Sequence, residues 1–413
     1  MKKVSNHLVR RLFTACLLSL WGLGGLYAND TIRMSWTEED AYYYTQSFSI
    51  VATNGEQFVI DWGDGGIDTL TGAQNAQSFN RVYNSAYSKH YTLTIIGLTG
   101  NCRFDSLDCK WLDRLTELSL NCPALSILDY AGNNLSTLDV SQFPNLQELG
   151  CGYNQITALD LSNNTKLRWF SCGWNLLTAL DLSNNTGLED LYCSGNLLTA
   201  LDLSSNTKLI TLYCNDNQLT NLTLSKDTKF LMMVDCSNNR LQLSNLYHVF
   251  KLMYNPGLPM HRLDTQRLFP QEVKVDSLID FSEQAVFDGK NTVFAVEKNG
   301  VPANSNTYSI NNGIIQFKDT GYYTISMTNA AITLPHKVIA EFNVIKSNTS
   351  VISVTNEELE ITNTNYELRV TNYELQTLNI ELFDVMGRNV GTWRAASNET
   401  TINISYLSCP EYG

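Results

Sequence analysis

Between Leu125 and Leu246 the apolar residues return on a beat much longer than a helical turn. Aligned on their cysteines, four consecutive stretches read LQELGCGYNQITALDLSNNTK from Leu146, LRWFSCGWNLLTALDLSNNTG from Leu167, LEDLYCSGNLLTALDLSSNTK from Leu188 and LITLYCNDNQLTNLTLSKDTK from Leu209. The period is 21 residues. An earlier copy from Leu125 puts Tyr130 at the cysteine position, and a looser one from Leu231 keeps Cys236 at a spacing of 22. In each unit the leucine and cysteine of LxC share one side of an extended segment, and LDL repeats the alternation further along. Two short strands per turn cannot bury their apolar faces alone, whereas stacked turns build a continuous core.

The same phase assigns the polar ladders. Asn133, Asn154, Asn175, Asn196, Asn217 and Asn239 follow the cysteine position by three residues, where an amide can serve both backbone donors and acceptors as the chain leaves its strand. Cys151, Cys172, Cys193 and Cys214 point inward in parallel, about 4.8 Å apart. Parallel side chains do not converge as a disulfide requires, and a line of sulfurs does not surround a zinc ion. Core filling is the expected role. Asp139, Asp160, Asp181 and Asp202 form an outward ladder that suits either calcium or, preferably, local acceptance of backbone N–H groups.

These units resemble the leucine-rich repeat in its short bacterial form, over residues 125–261, with a capping repeat at 101–124. The cap carries Cys102, Cys109 and Cys122 at irregular spacing, and one disulfide among them is expected in an exported protein.

Outside the repeats the periodicity drops to two and the turns multiply, giving a mostly β chain. Residues 29–100 contain IDWGDG at Ile60–Gly65 and HYTLTIIG at His90–Gly97, which resemble the PKD type of immunoglobulin-like β-sandwich. Asp61, Asp64 and Asp68 lie there as turn formers or calcium ligands. Residues 262–345 read as a second immunoglobulin-like sandwich, with a tight turn at Asp319–Gly321. The polar, internally duplicated stretch 346–376 reads as a linker. Residues 377–413, with ELFDVMGRNV and INISYLS, resemble part of the C-terminal sorting domain of type IX secretion in Bacteroidetes-like bacteria. In that family the chain continues beyond a Gly-x-Tyr into a basic strand, and this one stops at CPEYG.

Composition then narrows the function. Lys2, Lys3, Arg10 and Arg11 precede an apolar run ending near Ala28, which reads as a secretory signal over residues 1–28. A lipid attached at Cys16 fits poorly, because the apolar run continues past it. No later segment has the length of apolar residues needed for a membrane helix. A net charge of -13 without basic runs excludes nucleic acid as a partner. No nucleophile, zinc-protease or phosphate-loop motif is present, His90, His248, His261 and His336 have no evident acid or cysteine partner, and no cofactor is implied.

The chain therefore reads as a secreted or cell-surface binding protein without catalysis, similar to internalin-like adhesins. Its partner would be a protein of host matrix, cell surface or another bacterium, met by the concave face of the repeats. Trp169, Asp190, Tyr192 and Tyr213 flank the inward positions, with Tyr153 and Trp174 at the sheet's edge, and together they form the candidate contact set. A glycan-binding accessory module and a structural component of the cell envelope are the alternatives.

Overall fold

The computed structural model describes residues 29–38, 43–84, 89–112, 115–228, 231–253 and 261–346, and the backbone of short strands after them. The secretory-signal and Cys16 readings lie outside the described residues. By its contacts the chain divides into two units. One runs to Phe269 and includes Ser282–Ala295 and Ile325–Ala340; the other comprises Pro270–Phe281, Val296–Thr324 and the chain from Glu341.

The first unit begins with eight strands: β1 (Thr31–Glu38), β2 (Tyr43–Ala52), β3 (Gln57–Asp61), β4 (Ile67–Thr71), β5 (Gln77–Asn84), β6 (Lys89–Gly97), β7 (Phe104–Asp108) and β8 (Leu115–Asn121). An antiparallel sheet has the order β4-β3-β6-β1-β8, while β2 pairs antiparallel with both β5 and β7. Alternation explains the core, since Tyr91, Leu93 and Ile95 of β6 are all buried while their neighbours are not. Aromatic rings fill the space between the two sheets. Trp36 meets Tyr83 edge-on at 5.1 Å, and Phe58 meets Phe104 at 5.9 Å. The IDWGDG turn orders its own carboxylates: Asp61 accepts from the Gly63 N–H, Asp64 from Gly66 and Arg81, and Asp68 from the Trp62 indole at 2.7 Å.

Strand β7 also starts the repeats. It pairs in parallel with β9 (Ile127–Asp129), and the ladder continues through β10 (Glu148–Gly150), β11 (Trp169–Ser171) and β12 (Asp190–Tyr192). After β13 (Ala200–Leu203) come β14 (Thr211–Tyr213), β15 (Asn221–Leu224), β16 (Met233–Asp235) and β17 (His261–Arg262). One sheet of ten strands thus joins β5 and β2 to every coil. Residues 101–124 are shared between sheets, because β7 enters this one and β8 returns to β1.

The inward columns are as the period requires. Leu149, Phe170, Leu191 and Leu212 are fully buried, and so are the adjoining cysteines. Burial pushes the Cys151 and Cys193 thiols up to about 12. The disulfide expected among Cys102, Cys109 and Cys122 does not form: all three are free and buried. Each has a different surrounding. Cys109 stands 21 residues before Tyr130 and its N–H donates to the Asp129 carbonyl, as the Tyr130 N–H donates to Gly150, so it is the first rung of the ladder. Cys122 donates to the Thr31 carbonyl at 3.5 Å, and Cys102 packs against Gly97.

The asparagine ladder binds coil to coil. Asn175 donates to the Cys151 carbonyl of the preceding coil at 2.9 Å and to Cys172 of its own at 3.0 Å, and accepts from the Ile156 N–H at 2.9 Å. Gln266 ends the series, donating to Cys236 and Leu263 and accepting from the Leu241 N–H. A second column, which periodicity alone left as turn residues, lies in the SNN segment. Asn164, Asn185 and Asn206 are buried, and each donates to two carbonyls of the coil before it.

Among the described residues, the LDL segments pair as strands only in β13 and β15. In the other coils the asparagine columns hold that segment. After β16 the extended pattern gives way to the helix Leu243–Leu252, which buries Leu243, Leu246 and Val249 at helical spacing.

In the second unit, strands Leu278–Asp280, Ile314–Phe317 and Tyr308–Asn311 form a small antiparallel sheet. Phe317 packs on Tyr323 at 4.3 Å and on Phe342 at 5.5 Å. The turn expected at Asp319–Gly321 is present between Ile314–Phe317 and the strand Gly321–Asn329, with Asp319 accepting from the Thr320 N–H. The stretch read as a linker contributes the strand Tyr366–Thr371. It pairs with Thr377–Asp384, which pairs in turn with Asn389–Ala396.

Candidate binding surface on the stacked coils

Because leucine and cysteine point inward, the residues between them are forced outward in columns one coil apart. In register, Glu148 lies beside Trp169, Trp169 beside Asp190, and Asp190 beside Thr211; next to them, Ser171 lies beside Tyr192 and Tyr192 beside Tyr213. Trp169, Asp190, Tyr192 and Tyr213 are half-buried on this face. Tyr192 and Tyr213 stack at 5.3 Å with their planes 15° apart, and Trp169 leans on Tyr192 at 5.9 Å. Burial, and then the Asp190 carboxylate, raise the Tyr192 hydroxyl above its usual range.

A second aromatic column runs along the edge where the chain turns out of the strand. Trp111, Gly132, Tyr153, Trp174, Gly195, Asp216 and Asn238 occupy equivalent places, and all have φ between 52° and 68°. Glycine, asparagine and aspartate tolerate that conformation, whereas a bulky side chain there costs on the order of 1 kcal/mol. Three coils nevertheless carry Trp or Tyr. Their rings form one stripe, with Trp111 against Tyr153 at 5.4 Å and Tyr153 stacked on Trp174 at 6.0 Å. Gly132 is required beneath it, since a Cβ there would lie 2.0 Å from the Trp111 ring.

The two columns wall a groove floored by Ala131, Gly152, Gly173 and Ser194, with a volume of about 390 Å³. Beside it is a charged hollow of about 490 Å³. There Lys110 bridges Asp108 at 2.9 Å and Asp129 at 3.5 Å, and Arg168 grips Glu189 with two nitrogens. Burial raises the Asp129 carboxyl, opposed by the Ala131 N–H and Lys110. Five carboxylates line this hollow against two cations. Among the described residues, Asp190 has no basic side chain within ion-pair distance, and Glu148 adds its charge to the pull of Glu189 on Arg168.

All six residues expected from the sequence therefore border this face, in two groups: Trp169, Asp190, Tyr192 and Tyr213 on the strands, Tyr153 and Trp174 on the edge. Trp111 was missed. It lies 42 residues before Tyr153, twice the period, so the spacing alone identifies it. Lys110 and Asp129 were missed for the same reason, falling in coils whose match to the pattern is weak.

Other candidate chemistry has local explanations. Asp139, Asp160, Asp181 and Asp202 each accept from a serine N–H two residues on at 2.9 Å, and their bonds to that serine hold the carboxyls below the usual range. His261 contacts the Met232 carbonyl at 2.8 Å, and His336 accepts from the Asn329 N–H. Among the described residues no cluster of His, Cys, Asp or Glu is arranged for a metal ion, and no helix is long and apolar enough to cross a membrane.

No protein-family model matches the chain, and no curated protein does. Solved structures do. The functional domain of InlJ from Listeria monocytogenes, which includes a cysteine ladder, is 21% identical over 60% of this chain and 69% of its own, with a TM-score of 0.28. InlP from Listeria monocytogenes is 20% identical over 55% and 68%, with a TM-score of 0.36. YopM, a leucine-rich effector protein from Yersinia pestis, is 26% identical over 29% and 40%, with a TM-score of 0.26. The chain is thus similar to leucine-rich repeat proteins, internalins among them.

Proposed function

We propose that this protein is a secreted or surface-displayed adhesion protein that binds a protein partner through the outward face of its stacked coils. The observation that carries the reading is the contrast between columns. Inward positions repeat with little change, while outward ones vary and collect Trp169, Tyr192 and Tyr213 beside an excess of carboxylates. Rigid aromatic rings of this kind bury much area at small entropic cost, and they dominate protein interfaces. Catalysis and a cofactor have no part in it.

The flanking β regions serve as spacers of the PKD and immunoglobulin-like kinds, and the C-terminal strands as part of a type IX sorting domain. The calcium reading of the Asp139 ladder and of Asp61, Asp64 and Asp68 gives way to turn formation, since these carboxylates accept local hydrogen bonds.

A glycan partner is supported less well. Stacking of a sugar needs an open ring face, and the faces of Tyr192 and Tyr213, like those of Tyr153 and Trp174, are turned toward each other. Replacing Trp169, Tyr192 and Tyr213 together by alanine is expected to abolish capture of proteins from host matrix while leaving thermal unfolding unchanged. Retained capture by that variant, or binding on a glycan array with none to matrix protein, overturns the reading.

A further inference from the structure

We propose that the groove between the two aromatic columns receives an extended, cationic segment of the protein partner. This deepens the protein-binding reading and rests on it. Among the described residues of the coils, the edge stripe is the most exposed apolar feature: Trp111 is 57% exposed, Tyr153 52% and Trp174 50%. Such a patch on an acidic exported protein marks a contact surface. Nor does the turn ask for these rings, because Gly132, Gly195, Asp216 and Asn238 make the same turn at the same φ.

The shape selects a chain rather than a compact surface. Alanine, glycine and serine floor the groove, so a backbone can approach closely between walls of ring edges. Two coils advance about 9.6 Å, nearly the rise of three extended residues at about 3.3 Å each, so an extended peptide keeps step with the rings.

Charge selects the sign. Lys110 and Arg168 are already engaged, and in the hollow beside the groove five carboxylates, Asp190 among them, outnumber these two cations. An arginine or lysine side chain can lay its apolar stem along the ring edges and set its charge against a carboxylate, which an anionic or neutral segment cannot do. The net charge of -13 steers a cationic partner toward the protein.

The test is titration of the full chain with a fluorescein-labelled peptide of about twelve residues alternating arginine with alanine and proline, against glutamine and glutamate counterparts. The arginine peptide alone is expected to bind. Trp111→Gly, Tyr153→Gly and Trp174→Gly combined remove no charge and suit the positive φ, and they are expected to weaken binding at least about tenfold. The matching asparagine series repeats the measurement if the glycine set unfolds early. Asp139→Asn, Asp160→Asn and Asp181→Asn combined remove three charges outside the groove, and they are expected to change binding less than about twofold.

Equal binding of the glutamate peptide, or equal loss in the two variants, overturns the inference. If no peptide binds while the Trp169, Tyr192 and Tyr213 alanine variant still loses matrix capture, the inference falls and the adhesion reading stands. Binding of oligosaccharide in its place, abolished by the glycine set, overturns both.

Discussion

The first unit holds two regions of opposite design. In the module formed by β1 to β8, each core residue is particular: Trp36, Phe58, Tyr83 and Phe104 meet at different angles, and residues far apart in sequence pair across the sheets. In the coils, the same few residues recur and their bonds stay within a turn or reach the neighbouring one. A particular core shows nothing by deviating, since it has no rule to deviate from. In the periodic region each departure from the beat stands out, and Tyr153 and Trp174 are departures.

The largest expected effect is a pH dependence, which Cys102 and Cys122 at the module share with the ladder. The ladder thiols ionise near 9.0 once unfolded, and burial raises them in the folded coils, Cys151 and Cys193 to about 12. Stability is therefore complete below pH 9 and is lost as pH rises toward 12, by about 1.4 kcal/mol per thiol per pH unit. Urea midpoints measured from pH 8 to 10.5 are expected to fall steeply. Replacing Cys172 and Cys193 by alanine makes that slope shallower, and an unchanged slope would show that the thiols are not its source.

Next comes Phe104, which packs on Phe58 while its strand β7 pairs with β9. Phe104→Ala is expected to cost about 3–5 kcal/mol and to lower the unfolding of module and coils together. Separate transitions, with the coils unmoved, would show that the shared sheet does not couple them.

Smaller still is a paired test within one coil stack. Asn175→Ala strands the Ile156 N–H in the interior, while the Cys151 and Cys172 carbonyls each keep a second asparagine donor, and it is expected to cost about 1–3 kcal/mol in a urea titration. Asn163→Ala, exposed and bonded to Ser141 at 3.4 Å, is expected to cost less than about 0.5 kcal/mol. The smallest effect belongs to the edge: Trp174→Gly relieves a positive φ while losing contact with Tyr153, and its midpoint is expected to move by less than about 1 kcal/mol. A large loss would make that ring a structural member.

The difference between regions also explains what could be read in advance. The beat of 21 placed Cys151 to Cys214 inward, put the Asn133 series in the turn and set Tyr192 and Tyr213 outward, because one geometric rule governs all of them. Where the rule weakens, the reading stopped. Leu112 replaces the asparagine of the first coil, hiding Cys109 and Trp111 in a segment that looked irregular. Gln266 replaces it in the last, beyond a helix that breaks the spacing. Asn164, Asn185 and Asn206 were in plain sight, yet an SNN turn looks the same whether its amide faces water or the core. The groove itself needed three dimensions, since its walls come from columns whose members are 21 residues apart or more.

The terminal rungs carry a last consequence. Strand β7 finishes one end of the ladder and Gln266 the other, and every interior asparagine is bonded only to its own coil and the adjacent ones. Both ends are indifferent to how many coils lie between them. Duplicating or deleting one unit of 21 residues lengthens or shortens the groove by about 4.8 Å and leaves each bond type intact. The reach of the surface is therefore a quantity that can be counted in repeats, and changed by whole numbers without redesigning the fold.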